Sequence, residues 1–545
     1  MFVKVMLLLV GFVFSTLPLT TSGKHIAVLG GIMKSHHLTV VPLIERLVER
    51  GHQVSFLLPN TTEHKSFFPS GVSSAKMVYL GTKDWSFDTL FSGAEYDIKN
   101  LPWYKKLIAF AKILWSYRES MEAPFFSMTD HLVQWLQTVD LDAIVLHVAS
   151  FGNAHVVRDS GIPFVSYFSV PPLPMFLVHD KDKVCRYPNM LYPPALAKLK
   201  TSLVARVKNH MMCRFLQGYM LIANHELNAI FQARGVNLNG TFLESLTDTP
   251  QLMLLGGPPL SLNVKLPPQT HVLGIVNKHV PRPIPAELLG WLDAASEANA
   301  RVVYISMGTK YELHQRTCAK LVSLLKMMVR YFSLRILWSL RASQQELLWP
   351  ILPKQGKNIR IEFFTPQPEV LQHPSVQVFL SHCGWGGVSD AISAGVPVLG
   401  YPGMSDQFSN ARMLEEAGAG IVVANDFSNL IDSLKIVLAN NSFAAASRAA
   451  GDTLKSYGGL PRAIEIIEAA AVGEYLKPDP EILAKMSETD PFFDESQWFT
   501  QLLSFVGFVS LPVLGMLLCY HLCRYYCCCC CRRNDETLDQ EKKDQ

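Results

Sequence analysis

The run from Phe364 to Gln407, FTPQPEVLQHPSVQVFLSHCGWGGVSDAISAGVPVLGYPGMSDQ, leaves the chain few folds to adopt. Its middle, Val376 to Ser381, is short, apolar and β-branched, the composition of a parallel strand buried on both faces. His382 and Cys383 follow, then a turn with Gly384, Gly386 and Gly387, and Val388 to Ala394 reads as a helix. Strand, glycine turn and helix N-terminus together make an anion site, because unpaired backbone N–H groups and the helix dipole both favour phosphate-type oxygens. A second strand, Val396 to Leu399, ends in Tyr401-Pro402-Gly403 and then Asp406-Gln407. Ligands of open α/β sheets lie off the carboxyl ends of the strands. Phosphate donors and a carboxylate–amide pair would then converge on one crevice. The competing reading is a plain strand–turn–helix unit with no ligand.

The rest of the chain repeats the same alternation. His25 to Gly30 is a strand, Gly31 to His37 a loop, and Thr39 to Arg50 has helical spacing. Gly51 ends that helix and Val54 to Leu58 is the next strand, so a Rossmann-like half begins here. Strands Leu141–Leu146 and Pro163–Phe168 continue it. Trp103 to Glu122 reads as a long amphipathic helix, either packed in the core or lying on a membrane surface. Asn237 to Pro285 is rich in Pro and Gly and reads as the crossing between halves. A second series follows: Val302–Ser306, Leu334–Trp338, Ile359–Phe363, Val376–Ser381 and Val396–Leu399, with a helix at Leu460–Ala471. A length of 545 residues requires two or more domains. A net charge of +3 is small for this length and argues against a nucleic-acid partner.

The two ends differ from this body. Met1 to Gly23 carries Lys4, an apolar run and small residues, which is a signal peptide; a signal anchor is the alternative. Three glycosylation triplets, at Asn60, Asn239 and Asn440, are compatible with passage through a lumen. Trp498 to Leu522 has no charged residue and is long enough to span a bilayer. Asp490, Asp494 and Glu495 precede it, and Arg524, Arg532 and Arg533 follow. The positive-inside rule then puts the tail in the cytosol and the body in the lumen. Cys527 to Cys531 lie beside the membrane, either palmitoylated or as an unmodified thiol cluster. Lys542 and Lys543 stand fourth and third from the end, which is similar to a dilysine retrieval signal of the endoplasmic reticulum.

The segment from Phe364 to Gln407 resembles the donor-binding signature of the UDP-glycosyltransferases, from an aromatic-x-P-Q start through H-C-G-W to a terminal D-Q. The resemblance implies a GT-B architecture: an α/β chain with two Rossmann-like domains facing a cleft, here with a C-terminal transmembrane helix added. It implies roles for individual residues. Phe364 stacks on uracil, Gln367 contacts the nucleoside, and His382 bonds the diphosphate with Trp385 packed beside it. Asp390, shorter than the usual Glu, binds the ribose. Asp406 and Gln407 hold the sugar hydroxyls. Gly386 and Gly387 replace an amide-bearing pair, which leaves more of the phosphate contact to backbone N–H groups. Met307-Gly308-Thr309 looks like the family's phosphate turn, with the Thr309 hydroxyl on the phosphates. The donor segment has no D-x-D motif, so neither a metal nor any other cofactor is expected; the UDP-sugar is a co-substrate.

The base is expected from the first half. An imidazole that titrates near neutrality suits proton abstraction, and His36 and His37 both lie in the first loop. The family's base stands fifteen residues before the Gly of an R-G-H turn, which here is Arg50-Gly51-His52 and selects His36. The family's second catalytic residue is an Asp that orients this His; the matching position, counted back from Ile162-Pro163-Phe164-Val165, is His147. Asp142 lies at the other end of that strand, too far to substitute at about 3.3 Å per residue. His147 is expected to hold His36 by a hydrogen bond without charge support. The apolar stretch Ser166 to Leu177 either lines an acceptor pocket or belongs to the core.

These residues imply an inverting glycosyltransferase of the endoplasmic reticulum membrane, single-pass with a lumenal body, that moves glucose, glucuronate or a similar sugar onto a hydroxyl of a small lipophilic acceptor. The His147 departure keeps a second reading open, a non-catalytic UDP-sugar-binding membrane protein. The expected segments are a signal peptide (1–23), an acceptor domain (24–260), a linker (261–285), a donor domain (286–475), a juxtamembrane segment (476–497), the membrane helix (498–522) and a cytosolic tail (523–545). Homo-oligomer formation is left open.

Overall fold

The computed structural model of the protein describes residues 23–31, 34–68, 70–81, 127–148, 150, 153–171, 185, 199, 201–232, 248–257, 266–276, 282–308, 313–403 and 406–487. The signal segment, the 103–122 stretch, Thr309, residues 172–177, Asn239, the span 498–522 and the tail lie outside these residues. Among the described residues no helix is long and apolar enough to cross a membrane.

Short, largely buried apolar runs make two parallel sheets. The first contains β1 (His25–Leu29), β2 (Gln53–Pro59), β3 (Lys76–Leu80), β4 (Ala143–His147), β5 (Phe164–Phe168), β6 (Leu252–Leu254) and β7 (Thr270–Val272), in the order β3-β2-β1-β4-β5-β6-β7. The second contains β8 (Val302–Ser306), β9 (Arg335–Ser339), β10 (Ile359–Glu362), β11 (Val376–Ser381), β12 (Val398–Gly400) and β13 (Gly420–Val422), in the order β10-β9-β8-β11-β12-β13. Strand order reverses beside β1 and β4 in one sheet and beside β8 and β11 in the other. Both reversals open the crevices in which such sheets bind ligands.

Three expectations need correction. β6 and β7 fall within the Pro- and Gly-rich stretch read as the crossing, and β7 lies inside the expected linker at 261–285. At three residues each, they are too short to show a period, yet they pair in register with β5 and with each other. The first helix, α1 (Lys34–Glu49), begins earlier than its periodic residues suggest. No Gly or Pro interrupts Lys34 to Leu38, so the helix runs back nearly to the Gly30-Gly31 turn. His36 and His37 therefore stand in its first turn and not in a loop.

The helices that position the second site are α2 (Gln367–Gln372), α3 (Trp385–Ala394), α4 (Gln407–Glu416) and α5 (Ser442–Lys455). The last relevant helix, α6 (Gly459–Ala470), follows the second sheet in sequence but packs on the first. Its Ala463, Ile464, Ile466, Ile467 and Ala470 are buried with Val145, Val165, Tyr167 and Leu273. Outside this core, Glu468 receives both ends of the Arg50 guanidinium, at 2.5 and 2.9 Å, and the His52 ring at 2.9 Å. The Lys24 N–H donates to His52 Nδ1, which leaves Nε2 as the proton-bearing nitrogen that faces Glu468. The Arg50-Gly51-His52 turn is thus the anchor of α6.

The chain forms two compact units, and both sheets belong to the first. The described part of the second, within 185–223, carries a disulfide between Cys185 and Cys213.

Candidate active site

In the first half, two histidines meet at the carboxyl ends of adjacent strands. His147 is the last residue of β4, and His36 enters from α1, which follows β1. Their rings stack with centroids 4.9 Å apart and planes 20° apart. The expected neighbour is in place, but the contact is face to face and not the expected hydrogen bond. His147 Nε2 instead pairs with Ser169 Oγ at 2.9 Å, and Tyr167 closes the other side edge-on. A β-carbon on Gly31 would lie 2.9 Å from His147 Nδ1, so only glycine leaves room for this ring. His37 points the other way: it is fully buried, bonds the Gly31 carbonyl and packs against His64 and Phe56.

Neither ring titrates near neutrality. His36 is partly accessible at its surface yet enclosed by protein atoms, and burial lowers its pKa to about 4. His147 is held well below the ordinary value, first by burial and then by His36 and His37. Among the described residues no carboxylate acts on either. Asp142 is tied down at the far end of the strand, where it accepts from Lys24 Nζ at 2.9 Å and the His25 N–H at 2.7 Å.

The second half gathers most of the other expected residues. Gln367 donates from Nε2 to Asp390 Oδ2 at 2.9 Å, while the Tyr304 hydroxyl reaches Gln367 Oε1 at 3.4 Å and pairs with Thr365 at 2.7 Å. Phe364 is 55% exposed and its neighbour Phe363 is 68% exposed, so two aromatic faces stand in water beside this network. His382 is clamped between glycines. A β-carbon on Gly308 or on Gly384 would fall 2.5 Å from its ring. Gly308, with φ +70°, is the described part of the turn whose next residue is Thr309.

Cys383 takes a left-handed φ of 62°, and Gly384 caps α3, which turns the first N–H groups of that helix toward the strand end. Trp385 is buried in the apolar core behind the turn, and its backbone N–H serves Asp406. Gly386 is exposed, with open space where a side chain would be; Gly387 is buried against Ser381 and Phe379.

Asp406 is partly buried. Burial pushes its carboxyl up to about 6, against the opposing pull of Asn410, which donates to Oδ2 at 2.8 Å. Gln407 is buried, and its Oε1 accepts the Gly403 N–H at 2.8 Å, so it shapes the loop as well. Asn410, Tyr304, Thr365 and Ser169 were not singled out from sequence. Asn410 holds two parts of the site at once, since it also donates to the Cys383 carbonyl at 3.0 Å. Its one sequence signal is the spacing of four from Asp406 on a helix.

Comparison with known proteins agrees with this geometry. The family model for UDP-glucoronosyl and UDP-glucosyl transferase matches residues 28–447. The chain is 24% identical to human UDP-glucuronosyltransferase 1A9 over 75% of each chain. It is 26% identical to UDP-glycosyltransferase UGT5 of Dactylopius coccus over 74% of each. A match at 29% identity to the Gardenia jasminoides beta-D-glucosyl crocetin beta-1,6-glucosyltransferase covers 40% of this chain and 47% of that one. Among solved structures, a UDP-glucose: anthocyanidin 3-O-glucosyltransferase in complex with UDP superposes with a TM-score of 0.54 at 15% identity, over 86% of this chain and 99% of that one. The spinosyn rhamnosyltransferase SpnG does so at 0.55 and 17%, over 82% and 100%. At such identities these two structures establish the GT-B fold alone, and it is the family match over most of the length that makes this chain a member of the UDP-glucuronosyl and UDP-glucosyl transferase family, and so a glycosyltransferase.

Proposed function

We propose that the protein transfers glucose, glucuronate or a close relative from its UDP conjugate to a hydroxyl of a small lipophilic acceptor, with inversion and with His36 as general base. The stacked His36–His147 pair at the ends of β1 and β4 carries this reading. The pair stands at the carboxyl ends of strands in the first sheet, the side on which ligands of such sheets lie. The acceptor oxygen attacks the anomeric carbon as the bond to the diphosphate breaks, and His36 takes the proton. Charge that develops on the departing diphosphate would meet His382, the Gly308 turn and the N-terminus of α3. Phe364, Gln367 and Asp390 would hold the nucleoside, and Asp406 with Gln407 the sugar. This chemistry asks for no metal.

We further place the protein in the endoplasmic reticulum membrane with its body in the lumen. The uncharged span 498–522, the arginines beyond it and the terminal lysines support this. The Cys185–Cys213 disulfide does too, since such bonds persist in oxidising compartments. The test is incubation of the purified protein with a panel of UDP-sugars and a lipid extract, with the glycosylated product identified by mass spectrometry. His36→Ala should abolish transfer to alcohols while UDP still binds. Transfer to an alcohol that survives this substitution would remove His36 from its role as base.

A further inference from the structure

The charge balance around His36 narrows the acceptor, given the transferase reading above. When His36 takes a proton from a neutral hydroxyl it becomes an imidazolium, and nothing described around it is negative. Its stacking partner is another imidazole, whose Nε2 is engaged by Ser169. His37, next in the chain, is fully buried. The ring sits in the first turn of a sixteen-residue helix, whose positive end disfavours a cation. Asp142, just before β4, is paired with Lys24 at the opposite end of the strand. Burial then holds both imidazoles neutral, with His36 near pH 4. The same features suit an anion, because a neutral imidazole offers one N–H and a helix N-terminus favours negative charge.

We propose that this site takes acceptors whose attacking oxygen is itself acidic, carboxylic acids first and acidic phenols second, and turns over aliphatic alcohols poorly. Carboxylic acids ionise at about pH 4 and phenols at about 10, whereas an alcohol is roughly as weak an acid as water, far weaker than either. A carboxylate arrives already ionised. One lone pair attacks the anomeric carbon, the bond from that carbon to the β-phosphate oxygen breaks, and its electron pair leaves on UDP. The products are a sugar ester and UDP. The acceptor's negative charge ends on the nucleotide, no proton is released, and no imidazolium forms. His36 then orients the carboxylate as a neutral donor. With a phenol, His36 accepts a proton that is much more easily given up than that of an alcohol.

The experiment gives the purified full-length protein UDP-glucose or UDP-glucuronate with three acceptors on one skeleton: 2-naphthoic acid, 2-naphthol and 2-naphthylmethanol. Products and UDP are quantified by mass spectrometry. The expected order of kcat/KM is acid, phenol, alcohol, with the acid at least 100-fold above the alcohol. An alcohol used as well as the acid overturns the inference and leaves the transferase reading intact. No product from any of the three while UDP still binds overturns both. His147→Asp puts an anion beside the His36 ring and should raise the alcohol-to-acid ratio at least tenfold. His147→Asn, similar in size and uncharged, should keep the ratio of the native protein. A ratio that does not separate the two variants overturns the charge argument. If the Asp variant does not fold, the three-acceptor series decides alone.

Discussion

The clamp on His382 allows donor binding to be tested through two glycines with different backbones. A β-carbon at either Gly308 or Gly384 would lie 2.5 Å from the ring. Ordinary contact is about 3.5 Å, so the ring must move by roughly 1 Å. That shift takes a hydrogen bond out of its effective range. A bond to a charged group is worth about 1.5–3 kcal/mol, which corresponds to UDP binding weaker by about 10- to 150-fold. At Gly384 φ is −61°, so alanine adds no left-handed strain and the effect is that of the ring. At Gly308 φ is +70°, and alanine adds about 1–2 kcal/mol of backbone strain. Titration calorimetry should therefore find UDP weakened in both variants. Thermal unfolding should show a clear loss in Gly308→Ala, about 2–8 °C, and a small one in Gly384→Ala. A Gly384→Ala protein that binds UDP within twofold of the native chain would refute the idea that His382 must stand where the glycines leave it.

Other substitutions probe separate features. Asp406 titrates at about 6 in the fold against 3.8 ordinarily, so its ionisation opposes folding and stability falls as pH rises through that interval. Asp406→Asn should then melt higher than the native protein at pH 7.5 and alike at pH 4, and should lose preference among UDP-sugars more than affinity for UDP; equal melting at both values would remove the burial argument. Gly386→Asn enters open space and should tighten UDP binding by up to about tenfold, one hydrogen bond's worth; unchanged affinity would show that no phosphate oxygen comes within reach. Cys185→Ser opens a loop with a sequence separation of 28 and should lower stability by about 3.5 kcal/mol, read from the denaturant midpoint. A chain that ends at Glu495 should leave the membrane fraction while the whole chain stays in it, and equal partition of the two would argue against the anchor.

The legible parts of this fold are those where composition alone decides burial. Val302–Ser306 and Val376–Ser381 are apolar runs that stand as strands end to end. The three-residue strands Leu252–Leu254 and Thr270–Val272 were not legible, because pairing with β5 and not local propensity makes them strands. At the site, spacing from Arg50-Gly51-His52 and from Ile162-Pro163 singled out His36 and His147, which the fold brings together. The stacked contact between them depends on ring rotamers, and so does the depth that lowers both pKa values; neither is written in spacing. Asn410 escaped notice because its second acceptor, the Cys383 carbonyl, comes near it only in the folded chain.

The return of α6 to the first sheet also sets an order of events during synthesis. The first sheet is complete in sequence at Val272, yet the apolar residues that cover it, Ala463 to Ala470, are made almost two hundred residues later. At about 5–20 residues per second the interval is roughly 10–40 s. Throughout it Val145, Val165, Tyr167 and Leu273 lack the α6 part of the cluster that buries them. The nascent amino-terminal half is therefore an unfinished body with an uncovered apolar face, a natural client for a holding chaperone. Its Arg50 and His52 wait for Glu468 to fasten the cover from outside.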